Sequence, residues 1–121
     1  MTDGANNVTT PHVVVKDNDA AHQYEAHIGD ELAGLTTYRR DGREIVFLHA
    51  EVYPKWEGQG VGSELARGAL DDAVSRHLTI TPQCPFIAEY ISRNPSYLQY
   101  VDDAHRQRIE AEIATGPDEV A

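Results

Sequence analysis

The stretch Glu57-Gly58-Gln59-Gly60-Val61-Gly62-Ser63 places glycine at every second position between an apolar run and a helical pattern. A helix start leaves several backbone N–H groups without partners, and the aligned peptide dipoles add partial positive charge there. Glycines remove the Cβ atoms that would hold a ligand away from those N–H groups. Such a turn holds a phosphate or pyrophosphate. No lysine follows the glycines, so it is not a Walker loop, and the antiparallel hairpins expected before it do not suit a dinucleotide-binding turn. Taken alone, the stretch serves equally well as a turn that lets the chain bend. The other chemistry-bearing residues give less. Cys84 is the only cysteine, which excludes an internal disulfide framework and a multi-cysteine zinc site. His22 and His27 fall on opposite faces of one expected strand and cannot share a metal there, and His12, His77 and His105 are isolated.

The elements that must position the turn are read from the patterning. Residues 1–10 are small and polar and are expected to form a flexible tail. Residues 12–16 are a β-branched run that predicts a strand, followed by turn chemistry at Asp17-Asn18-Asp19. Residues 22–28 alternate, with His22, Tyr24, Ala26 and Ile28 on one face, which predicts a half-buried strand. Gly29-Asp30 leads to a third strand over 32–39, with Leu32, Gly34, Thr36 and Tyr38 on one face. Asp41-Gly42 signals a hairpin into a fourth strand over 43–53. That strand is apolar on both faces from Ile45 to Ala50, the pattern of a central strand covered on both sides.

From Val61 to about His77 the period is helical, with Val61, Leu65, Ala69 and Ala73 in one row and Ala66, Leu70 and Val74 in the next. Leu78 to Thr81 is a short β-type run. Pro85 opens a second helix, with Phe86 and Tyr90 on one face and Ile87 and Ile91 on another. Asn94-Pro95 starts a third short helix through about Val101, with Asn94 as its cap. Residues 102–121 carry six acidic and two basic residues and predict an acidic helix or tail. The string β-β-β-β-α-β-α-α is an α+β fold: antiparallel N-terminal strands, then a β-α-β crossover that makes the last two strands parallel, then short helices.

A chain of 121 residues holds one domain. Its net charge of −10 argues against a nucleic-acid partner, which a basic face would serve. No apolar run approaches the roughly 18 residues of a membrane helix, and the first ten residues lack the features of a signal peptide. With a lone cysteine, these features point to a reducing, cytoplasmic setting.

The glycine turn resembles motif A of the GNAT acyl-CoA N-acyltransferases, Gln/Arg-x-x-Gly-x-Gly/Ala, matching at Gly60 and Gly62 and departing at Glu57. A compact branch of that superfamily is more similar still. Its His-x-Glu-Val block corresponds to His49-Ala50-Glu51-Val52, and its Pro-x-Cys-Pro-Phe block to Pro82-Gln83-Cys84-Pro85-Phe86. Its Arg-x-Pro-x-Tyr block corresponds to Arg93-Asn94-Pro95-Ser96-Tyr97. The resemblance spans about residues 12–101 and implies a GNAT-like mixed sheet in a domain over residues 11–101. It implies that Gly58, Gln59, Gly60, Val61, Gly62 and Ser63 bind the pyrophosphate of coenzyme A, with Asn94 as a further contact or a helix cap. It also implies that the strand ending near Val52 splays from the strand at Leu78–Thr81 to hold the pantetheine arm, and that a backbone N–H near Val52 polarises the thioester carbonyl. Glu57, unfavourable beside a pyrophosphate, is expected to face solvent or to pair with Lys55 or Arg67. Trp56 covers either the coenzyme or the core.

Three residues are candidates for proton transfer. His49, with an ordinary pKa near ~6.5, suits a base at neutrality, or else is a buried histidine of an apolar strand. Cys84, before a helix start, serves as a donor to the leaving thiolate, as a nucleophile, or as a small buried residue. Tyr90 stands on the helix where many GNAT proteins carry a general acid, or packs beside Phe86. The resemblance therefore implies an N-acetyltransferase that moves an acetyl group from acetyl-CoA to an unidentified amine by direct attack, without a metal, as a monomer or homodimer. Short connections between the first strands leave little for an enclosed acceptor pocket. The acceptor is then large, such as a protein lysine or N-terminus, or a partner subunit completes the site; the acidic surface suits a cationic acceptor, a lysine or a polyamine. The alternatives are a non-catalytic acyl-CoA-binding module and a simple anion binder.

Overall fold

The computed structural model describes residues 12–114. The tail expected over residues 1–10, and residues 115–121 of the acidic segment, lie outside the described residues. In chain order come β1 (Val14–Asn18), β2 (Gln23–Ile28), β3 (Glu31–Asp41), β4 (Glu44–Val52), α1 (Val61–Ser75), β5 (Thr79–Pro82), α2 (Pro85–Arg93) and α3 (Asp103–Ala114). Among the described residues the strands form one five-stranded sheet in the order β1-β2-β3-β4-β5. The first three pairings are antiparallel, and β4 pairs β5 in parallel. This is the mixed α+β sheet with a β-α-β crossover that the sequence predicts.

Helix α1 buries Val61, Leu65, Ala66, Ala69, Leu70 and Ala73, both rows of its apolar stripe. They share one core with Tyr24, Ala26, Tyr38, Ile45 and Phe47 of the sheet. The Tyr24 hydroxyl donates to Asp72 of α1 at 2.5 Å, and Arg76 bridges Asp72 and Asp17. Helix α2 adds Ile87 and Ile91 to the same core. It lies beside α1, because Tyr97, just beyond α2, donates its hydroxyl to Asp71 at 2.5 Å. Helix α3 is anchored by Ile109, its only buried residue among those described.

Several local expectations are corrected. β1 runs on through Asp17 and Asn18, which pair with Tyr24 and Gln23. The reversal is a 3-10 turn at Asp19–Ala21, held by the Asn18 side chain accepting the Ala21 N–H. His22 leaves the strand to cap that turn with a positive φ of 56°. In β3, Ala26 pairs with Gly34 but His27 pairs with Leu32, so Ala33 is an extra, fully buried residue and Leu32 changes face. The third short helix is a 3-10 run, Pro95–Tyr100, and the Asn94 side chain does not cap it. Instead Asn94 Nδ2 donates to the Tyr90 carbonyl at 2.8 Å, satisfying an end of α2.

β4 is covered on both faces only from Ile45 to Phe47; Leu48 is 42% exposed and His49 is exposed too. The cause is a second bulge. Thr37 pairs with His49 and Tyr38 with Phe47, leaving Leu48 without an opposite residue. The ladder to β5 ends at the same place, at Phe47 and Pro82.

Candidate active site

The Phe47 carbonyl accepts the Cys84 N–H at 2.9 Å, and beyond that bond β4 and the chain after β5 part. From Leu48 to Val52, β4 keeps β3 on one side and, among the described residues, has no strand on the other. Tyr53 donates its N–H to the Ala33 carbonyl at 2.9 Å. Antiparallel alternation then turns the N–H and C=O groups of Val52 and Ala50 away from β3, toward the gap.

A short 3-10 turn, Pro54–Trp56, carries the chain from β4 to the glycines. Gly58 and Gly60 have φ of 78° and 83°, a region that side-chain-bearing residues avoid. A Cβ at either would meet no atom within 4 Å, so the space a ligand would use beside this backbone is open. Gly60 stands at the N-cap of α1 and offers no side chain to its first turn. The first helical bond is Glu64 N–H to the Gly60 carbonyl, at 3.1 Å. The N–H groups of Val61, Gly62 and Ser63 precede it and remain for a ligand.

Two clefts meet here. One, of about 260 Å³, is lined by Val52, Trp56, Phe86 and the turn from Glu57 to Ser63 without Gln59. The other, of about 190 Å³, is lined by Ala50, Glu51, Val52, Glu57, Leu65 and Phe86. They share Val52, Glu57 and Phe86, so the glycine turn passes directly into an apolar slot beside the open side of β4. A wider groove of about 610 Å³, bordered by His77, Thr79, Tyr100, Asp102 and Arg106, shares no residue with them. It lacks a glycine turn, so size alone does not locate the site.

Residues 23–101, more than half of the chain, match the model of the GCN5-related N-acetyl-transferase family. The chain belongs to that family. Protein NATD1 of Gallus gallus is 36% identical over 67 residues, covering 53% of this chain and 61% of that protein. NATD1 of Mus musculus and of Homo sapiens are each 37% identical over 59 residues, 48% of this chain and 54% and 52% of theirs. The chain thus spans little more than half the length of these curated relatives.

Within this GCN5-related N-acetyl-transferase domain the expected site residues divide. Val52, Gly58, Gly60, Val61, Gly62 and Ser63 line the turn-side cleft. Gln59 turns its side chain back, donating to the Lys55 carbonyl at 3.2 Å. Asn94 lies at the far end of α2 and lines neither cleft. His49 is on the sheet face opposite α1, in line with Gln23 and Thr37. Its side chain is 60% exposed and its Nε2 lies 2.9 Å from the Glu51 carboxylate. Cys84 is 3% exposed, inside the core. Tyr90 packs 6.1 Å from the Tyr97 ring, and burial pushes its hydroxyl pKa up, which keeps it protonated. None of these three lines either cleft.

One feature of the site escaped the sequence reading. Phe86 borders both clefts, although its pairing with Tyr90 suggested core packing. The signal was its offset by one residue from the buried Ile87–Ile91 stripe. Of its two expected places, Glu57 takes the first: it is exposed and pairs with neither cation. Lys55 is held by Glu31 at 2.9 Å and Arg67 by Glu64, and Glu57 lines both clefts without a side-chain partner among the described residues. Trp56 lines the turn-side cleft, its ring under the Lys55 ammonium and its Nε1 donating to Glu31 at 3.2 Å. No group of three or more histidine, cysteine, aspartate or glutamate side chains among the described residues is arranged to hold a metal. No described helix is long and apolar enough to cross a membrane.

Proposed function

We propose that this chain binds acetyl-CoA along the joined clefts and transfers the acetyl group to an amine. The observation that carries this reading is the continuity of the site: the glycine turn, the apolar slot and the free side of β4 meet at Val52 and Phe86. The residues fit the cosubstrate. The turn's N–H groups suit a pyrophosphate, and Ala50, Val52, Leu65 and Phe86 suit a pantetheine arm. The Val52 N–H is directed to where charge develops on the thioester oxygen.

In this reading the amine nitrogen bonds to the thioester carbonyl carbon, the C–S bond breaks, and coenzyme A leaves as the thiolate. The amine's proton passes to a base, and the thiolate takes one from solvent or a side chain. His49, held by Glu51 on the open face of the sheet, is assigned as base for an acceptor approaching from that face. The burial of Cys84 supports direct attack over a covalent relay. Residues 11–101 are assigned to this domain.

A second reading rests on one observation: His49, Cys84 and Tyr90 line neither cleft, which suits a module that binds acyl-CoA without turnover. Calorimetric titration with acetyl-CoA and with coenzyme A tests both. Micromolar binding is expected; its absence at millimolar ligand would overturn both readings. Thiol release from acetyl-CoA over a panel of amines and lysine peptides then separates them.

A further inference from the structure

With 20 acidic residues against 10 basic ones, an arginine on this surface has carboxylates to choose from. Arg67, Arg76, Arg93 and Arg106 pair with Glu64, Asp72, Glu89 and Asp103. Arg39, Arg40, Arg43 and, on α3, Arg108 pair with none among the described residues; the first three are exposed together on the β3–β4 hairpin. Arg39 and Arg40 line a groove of about 360 Å³ with Asp19, His22, Tyr38 and Leu48. Among the described residues Asp19 is the one carboxylate that lines it, and it lies 3.5 Å from the Tyr38 hydroxyl, which bonds more closely to Asp17. The groove therefore offers two free guanidinium groups beside an exposed leucine. Guanidinium groups bind carboxylates through paired N–H donors, and the neighbouring unpaired arginines repel one another until an anion arrives.

The groove adjoins the candidate base. Leu48 directly precedes His49, and Arg39 stands two residues along β3 from Thr37, the cross-strand partner of His49. Alternation puts Thr37, Arg39 and His49 on one face, while Arg40, the next residue of β3, starts from the other face and also lines the groove. The step from Thr37 to Arg39 is roughly 7 Å, the length of two extended residues. We propose that this groove recognises an acidic stretch of a polypeptide acceptor, with aspartate or glutamate two or three residues from the amine presented to His49. The acceptor part of this proposal rests on the acetyltransferase reading.

Fluorescence anisotropy tests it with two labelled peptides: one lysine flanked by aspartates and glutamates, and the same lysine flanked by serines and glycines. The acidic peptide should bind at least about tenfold tighter, the sum of two arginine–carboxylate contacts, and salt should erase the difference. Arg39→Glu/Arg40→Glu should abolish the preference while thermal melting and the acetyl-CoA titration stay unchanged. Arg108→Glu, reversing an exposed arginine of α3, should keep it. Equal binding of the two peptides, or a preference that survives the double substitution, would overturn the proposal. So would self-association, seen by sedimentation, that the double substitution abolishes and the acidic peptide does not displace. Neither peptide arm needs the coenzyme. A protein that binds the acidic peptide but no acetyl-CoA would refute the acetyltransferase reading while leaving an acidic-peptide site.

Discussion

Gly62 and Phe86 meet at the junction of the two clefts: a Cβ on Gly62 would stand 2.8 Å from the tip of the Phe86 ring. That distance is below contact, and the ring, 38% exposed, has room to move. Gly62→Ala should therefore leave stability steady or raise it by up to about 1 kcal/mol, since alanine is the better helix former. The displaced ring narrows the coenzyme path, and acetyl-CoA affinity should fall by roughly 1 kcal/mol or more. Phe86→Ala in the same background should restore part of that loss. Calorimetry on the four proteins of the double-mutant cycle checks it. An affinity unchanged by Gly62→Ala would remove Phe86 from the site.

The order of elements was legible because each carries its own period: alternation in β2, a two-row apolar stripe in α1, proline at the start of α2. What was not legible depends on partners distant in sequence. Ile45 to Ala50 read as a strand covered on both faces, yet cover stops at Phe47. Nothing local marks the bulge at Leu48, which arises from how Thr37 and Tyr38 pair. The same bulge puts His49 in solvent rather than in the core. The glycine turn was legible because a helix start and missing Cβ atoms are local properties. The partner of Lys55 was not, because Glu31 competes for it from 24 positions away; that of Arg67 is local, since Glu64 stands one helical turn before it.

Glu57 places an unpaired carboxylate where the coenzyme pyrophosphate is proposed to lie. Two like charges about 4 Å apart in water repel by about 1 kcal/mol. Glu57→Gln should therefore tighten acetyl-CoA binding about fivefold at low salt, and Glu57→Arg by more. Added salt should shrink the gain. A loss of affinity in Glu57→Gln would show that the carboxylate contacts the coenzyme favourably, and would move the pyrophosphate elsewhere on the turn.

Glu25 accepts hydrogen bonds from Asn18 and Gln23 and lies 2.9 Å from the His27 ring, and these contacts pull its carboxyl from 4.5 down to about 2. A carboxyl lowered by folding stabilises the fold above its unfolded value, and that contribution is lost as pH falls through the folded one. Glu25→Ala should cost about 1–2 kcal/mol at neutral pH. The gap to the parent should close between about pH 4.5 and pH 2. Denaturant melts across that range test the sign. A gap that widened on acidification would show that these contacts do not hold the Glu25 carboxylate.

His49 and Cys84 are separated by environment, and kinetics can assign the proton between them. His49 is exposed, is bonded to Glu51 and lines neither cleft. If it accepts the amine's proton, His49→Ala should lower kcat by roughly a hundredfold or more, with acetyl-CoA affinity unchanged. Cys84 is in the core, with its N–H tied to Phe47. Cys84→Ala should cost about 1 kcal/mol of stability through lost packing and leave kcat within a few-fold. The reverse pattern, a collapse of kcat in Cys84→Ala with His49→Ala near normal, would place the proton on the thiol. It would also require Cys84 to reach the cleft by a movement of the α2 start, which stands only one residue beyond it. Thiol release measured across pH for both variants distinguishes these outcomes, because only the residue that carries the proton removes a limb of the profile when it is replaced.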